Sequence, residues 1–284
     1  MAVSIGEPYR ETDGIPLVKP DGSVETVDMT PTIATLLLTT VLSRPSTEPA
    51  IPPCGCGPCL AAGNVTDQTA PPTPTADYAV SRLRGWTVRI NPALLADESL
   101  CRATMEELDH QLYAITRVIP QPALDRIREI EIWAEREMPK TACMCYHVSK
   151  DWLIPNGYNG DKEGSVEIGN AQAFLDWTKG QPWMVLHELA HGYHDQVFGY
   201  DDEAIIEGWQ RMVDAGVYEE VGHISGIPRR HYALTNQMEW FAETTEALFG
   251  TNDFHPYVRS ELRTVDPEGA ALVEELWRAP TDAR

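Results

Sequence analysis

The sequence predicts an α+β fold, mainly helical, with a few short strands in the first half of the folded domain. Three observations predict it. Brief alternating or apolar runs bounded by turn residues occur up to Ile168. Longer segments with apolar residues at helical spacing dominate after that point. The 284 residues, 43% of them hydrophobic, are enough for a substantial core.

The chain divides at about residue 77. Residues 1–77 are rich in proline, threonine, glycine and cysteine, and Thr69–Ala76 (TAPPTPTA) reads as a linker into a domain over 78–284. Thr32–Leu42 reads as one short helix or strand. The domain opens with a strand at Trp86–Ile90, which alternates. A helix follows over Ala103–Val118, where Met105, Leu108, Leu112 and Ile115 recur at helical spacing, and Pro120 and Pro122 end it. Ala123–Ile130 reads as a second helix, and Ile130–Ala134 and Cys145–Val148 as strands. Trp152–Asp161 is turn-rich, with Asn156-Gly157 and Asn159-Gly160. Ser165–Ile168 reads as a strand and Ala171–Thr178 as a helix. Pro182 is placed in the first turn of the next helix, where proline is tolerated. Further helices are expected over Glu203–Val217 and Thr235–Phe249. Leu262–Trp277 closes the chain, with one more helix after Pro267.

The charge balance of 22 basic against 43 acidic residues, −21 in all, disfavours nucleic acid or an anionic membrane as a partner. Ile33–Leu42 is too short to span a bilayer. The opening MAVSIGEPYRETDG lacks a basic start followed by an apolar run, so the chain as written reads as cytoplasmic; a secreted protein would need a leader trimmed from it. Oligomeric state is not legible.

His187-Glu188-Leu189-Ala190-His191 carries the chemistry. Two histidines four residues apart share one helix face and can bind one ion, and the glutamate beside the first can act as general base. Trp183, Leu186, Ala190, Tyr193 and Val197 form an apolar stripe beside them, so the helix is expected to be buried. Buried histidines need partners, and a metal satisfies both. A catalytic zinc takes three protein ligands. His194 lies roughly 10 Å along the axis from His187 at 1.5 Å per residue, so it is assigned an outer role instead. Glu239, Glu243 and Glu246 share one face of a later helix rich in aromatics. Glu239 is the preferred third ligand and Glu243 its rival. Otherwise Glu243, one turn on, is expected to hold the ring N–H of a ligand histidine.

The run Tyr232-Ala-Leu-Thr-Asn-Gln-Met-Glu239-Trp-Phe-Ala-Glu243, taken with the HExxH motif, resembles the gluzincin metallopeptidases. Among these it is most similar to the group of the anthrax lethal factor catalytic domain and the Pro-Pro endopeptidases. The resemblance is firm over 183–249, weaker over 86–182 and absent over 1–77. It implies a zincin-like domain with Zn²⁺ on His187, His191 and Glu239. It also implies Glu188 as base and Tyr232 as donor to the developing oxyanion. In that group an exposed strand flanking the cleft pairs with extended substrate, and Ser165, Val166, Glu167 and Ile168 would form it.

Six cysteines remain. Cys54, Cys56 and Cys59 form a dense cluster with four readings: it joins Cys101, Cys143 or Cys145 in a second, structural metal site, forms disulfides to that set, caps the catalytic zinc, or carries inert flexible thiols. The expected function is a zinc-dependent endopeptidase acting on a peptide or protein. The alternatives are an HExxH metalloenzyme, with zinc or iron, acting on a small molecule, and a binding module with a structural metal.

Overall fold

The computed structural model describes residues 15–27, 71–138 and 141–279. Thr32–Leu42 and Cys54, Cys56 and Cys59 lie outside them. Among the described residues seven strands form one mixed sheet: β1 (Ile15–Val18), β2 (Val24–Val27), β3 (Ala79–Leu83), β4 (Trp86–Ile90), β5 (Ile132–Ala134), β6 (Met144–Tyr146) and β7 (Val166–Ile168). Their spatial order is β2-β1-β3-β4-β5-β7-β6. Strands β4, β5 and β7 run parallel, and the remaining pairings are antiparallel. The β1–β2 hairpin joins the sheet through Leu17↔Ser81 and Val18↔Val80. Part of the N-terminal region is therefore built into the domain's sheet.

Local chemistry explains the tightest connection. Strands β3 and β4 are joined by Arg84 and Gly85 alone, both at positive φ (50° and 103°). Two successive left-handed residues give a turn whose twist matches the flanking strands, and glycine at the second position removes the steric cost.

Helices accompany the sheet among the described residues. They are α1 (Pro92–Leu95), α2 (Glu98–Val118), α3 (Ala123–Ile127), α4 (Lys150–Leu153), α5 (Ala171–Trp177), α6 (Met184–Tyr193), α7 (Glu203–Ala215), α8 (Gln237–Phe249), α9 (Arg259–Val265) and α10 (Pro267–Leu276). Val88, Ile90, Ile132, Ala134, Val166 and Ile168 are buried in the main core with Leu108, Leu112, Leu186 and Leu189. Helix α6 packs against β6 on one side and α8 on the other. Gly192 permits the first contact: a Cβ there would lie 2.6 Å from Ile130 Cδ1 and 3.0 Å from Tyr146 Cε2.

Three expectations are corrected. Pro182 precedes α6 instead of sitting in its first turn; Trp183 is the N-cap, and its carbonyl accepts from His187 N. Past Tyr193 the chain widens into a π-helical turn, His194–Phe198, so the α-helical register does not reach Val197. Strand Val166–Ile168 is not an edge: β5 and β6 hold it on both sides, and β6 is the last strand at that end. Among the described residues, no helix is long and apolar enough to cross a membrane.

Candidate metal centre

Helix α6 buries all ten of its residues, His187, Glu188 and His191 included. Glu239 enters from α8. The Asn236 side chain caps that helix by accepting from the Glu239 backbone N–H at 2.9 Å, which fixes Glu239 in the first turn. One carboxylate oxygen, Glu239 Oε2, lies 3.1 Å from His187 Nε2 and 3.3 Å from His191 Nε2. The two imidazoles stand nearly perpendicular, at 80°. His191 Nε2 and Glu239 Oε1 are buried without a hydrogen-bond partner. Buried polar atoms left this way are costly, and a cation among the three side chains would satisfy both. Two imidazole nitrogens and a carboxylate are the donor set of a catalytic zinc.

Carboxylates dominate the electrostatics of His187. Burial works against charge on His187, but hydrogen bonds to Glu239 and Glu246 outweigh it and raise its pKa well above the imidazole norm. Burial likewise opposes ionisation of Glu239, yet His191 and His187 hold its carboxyl down at about 2. The centre is thus built around negative charge at Glu239.

Behind His187 the structure corrects the sequence reading. Nδ1 lies 2.7 Å from Glu246 Oε1 but 3.9 Å from Glu243 Oε1. Glu243 instead accepts from Asn252 Nδ2 at 2.9 Å, with His231 Nδ1 3.8 Å from the same oxygen. Burial, then the nearby Asp253 and Glu246 carboxylates, push Glu243 well above the usual carboxylate range. The ring N–H of His187 thus meets Glu246 and not Glu243, although His187, Glu243 and Glu246 also bring ligand atoms close together.

His194 does not take the outer role assigned to it. It is fully buried between Tyr200 and Phe241, and neither ring nitrogen has a hydrogen-bond partner. Burial, then the charge of His191, lower its pKa to about 3, so it stays neutral. Tyr232 opens the single turn Tyr232–Leu234 that leads into α8 and packs half-buried on the core. Its neighbour His231 is stacked between Tyr218 and Phe254. Tyr200 was not foreseen. Its hydroxyl donates to the His191 carbonyl at 3.3 Å. Burial first, then Asp195, Tyr146, Glu188 and Glu239, raise its pKa, which places it beside the centre. Nothing in its local sequence distinguished it from an ordinary packing tyrosine.

Of the expected substrate strand, Val166 and Ile168 belong to the core, and Ser165 bonds the Lys162 carbonyl. Glu167 points to the opposite face of the sheet. There Lys162 Nζ bridges Glu167 Oε1 (2.5 Å) and Glu135 Oε1 (2.7 Å), His147 Nε2 meets Glu167 Oε2 at 2.5 Å, and Tyr78 donates to Glu135. Cys145 Sγ lies 3.7 Å from His147 Nε2, so Cys145, His147 and Glu167 have ligand atoms close together. Both oxygens of Glu167 are already taken by Lys162 and His147, so this cluster is closed by its own ion pairs. Cys101, Cys143 and Cys145 are buried. Cys143 Sγ meets Met184 Sδ at 3.4 Å, away from Cys145 and His147. The expected pairing with Cys54, Cys56 or Cys59 falls outside the described residues. No family model, curated protein or solved structure matches the chain.

Proposed function

We propose that this chain is a zinc-dependent endopeptidase. The observation that carries the reading is the convergence of His187 Nε2, His191 Nε2 and Glu239 Oε2 beside the buried Glu188. His187, His191 and Glu239 would hold the ion. Zinc bound there supplies Lewis acidity, making water nucleophilic at neutral pH and polarising a carbonyl. Glu188, next to His187 on the same helix, takes the proton of the attacking water and returns it to the leaving amine. Its charge acts on both Glu246 and Tyr200, which sets it among the groups that face the centre. Tyr232, at the entrance to α8, is the proposed hydrogen-bond donor to the oxyanion. An extended peptide would add to β6, the edge strand packed on α6, and not to β7.

The test combines metal analysis with cleavage of a peptide library. Glu188→Gln should keep one zinc per chain and lose about 10²–10⁴-fold in hydrolysis. Full activity in that variant would remove Glu188 from the mechanism. A zinc-loaded wild type that cleaves no extended peptide would favour an HExxH enzyme acting on a small molecule.

A further inference from the structure

Helix α8 directs three buried carboxylates toward one imidazole. Glu239 reaches Nε2 of His187 at 3.1 Å, and Glu246 reaches Nδ1 of the same ring at 2.7 Å. The ring is held at both nitrogens by one helix. Glu243, midway between them in sequence, stands off at 3.9 Å. We propose that Glu246 is the positioning residue for His187, the role that one-turn spacing from Glu239 would give to Glu243. The inference rests on the metal reading above.

Two contacts decide between the carboxylates. Asn252 Nδ2 donates both to Glu243 Oε2 and to the Glu243 carbonyl, each at 2.9 Å, and so ties that side chain to the loop after α8. Glu246 has no such competitor. Its Oε2 is buried without a hydrogen-bond partner, so His187 is the group its carboxylate serves. A carboxylate accepting the Nδ1–H fixes the tautomer that leaves the lone pair on Nε2. It also stops the ring from rotating and strengthens Nε2 as a donor. Glu246 touches neither substrate nor ion; it acts through His187.

The experiment is competition of the full-length chain with a chromophoric chelator for zinc at pH 7, with circular dichroism as the control for folding. Glu246→Gln should bind zinc about 10–100-fold more weakly than wild type. Glu243→Gln should fall by much less, and Glu246→Asp, charged but drawn back from Nδ1, should fall between the two. Wild-type affinity in Glu246→Gln overturns the proposal, as does a loss in Glu243→Gln equal to or larger than that in Glu246→Gln. If Glu246→Gln does not fold, Glu246→Asp decides: affinity equal to wild type overturns the proposal. A wild-type chain that binds no zinc fails the metal reading itself, and that outcome is recognised before any variant is compared.

Discussion

Two clusters of buried charge lie on opposite faces of strands β6 and β7, and they are balanced in different ways. On the far face Lys162 sits between Glu135 and Glu167, with His147 on the remaining oxygen of Glu167. The chain supplies its own cation there. On the α6 face the ion-pair partners of Glu239, Glu243 and Glu246 are all histidines among the described residues, and Glu188 is buried beside them. Fixed positive charge is built in where the sheet only needs to be held together. It is left out where buried histidines and glutamates could hold a cation. The near cluster keeps buried polar atoms without partners; the far one satisfies its carboxylates.

The largest effect should come from breaking the balance of the far cluster. Lys162→Met leaves two buried carboxylates facing each other, and losing one partner of a buried pair costs about 3–5 kcal/mol. Chemical unfolding at pH 7 measures it, and a loss under about 1 kcal/mol would show that the cluster is hydrated in solution. The sign of the pH dependence is a second check. Burial opposes ionisation of Glu167, but Lys162 and His147 hold its pKa below the usual carboxylate value. Its contribution is therefore present above the unfolded value of about 4.3 and is lost as the pH falls through the folded value. The gap between wild type and Lys162→Met should narrow on acidification. Adding Glu135→Gln and Glu167→Gln to Lys162→Met should recover part of the loss at neutral pH.

The near cluster makes the converse prediction: it should be stabilised from outside. Zinc at a hundredfold excess over its Kd should raise unfolding stability by about 2.7 kcal/mol. Glu239→Gln should abolish most of that gain, while Lys162→Met should keep it. A zinc response that survives Glu239→Gln undiminished would place the ion elsewhere.

The contrast between the clusters also marks what the sequence could disclose. The convergence of His187, His191 and Glu239 was legible because helical spacing and metal-ligand chemistry are local or nearly so. The far cluster was not. Lys162 follows a turn-rich stretch, and only the fold buries it against Glu135 and Glu167. Glu167 alternates with Val166 and Ile168 as any half-exposed strand would, so its burial on the second face left no local trace. Strand order was equally hidden. Strands of three residues carry no signal of parallel or antiparallel pairing, and β6 precedes β7 in sequence yet lies outside it in space. Glu243 is the carboxylate that one-turn spacing from Glu239 singles out. Asn252, from a loop beyond the helix, reverses that preference.

The smallest effect concerns how the near cluster is held. Glu239, the proposed third ligand, sits in the first turn of α8, where backbone N–H groups lack helical partners, whereas Glu167 in the far cluster sits on a strand paired on both sides. The Asn236 cap compensates by binding the Glu239 N–H. Asn236→Ala should cost about 1 kcal/mol of stability, and it should weaken zinc binding as well, because fraying the first turn displaces the ligand itself. Calorimetry with and without zinc separates the two. A stability loss that is larger with zinc present means the cap serves the ligand; an equal loss in both conditions means it serves only the helix.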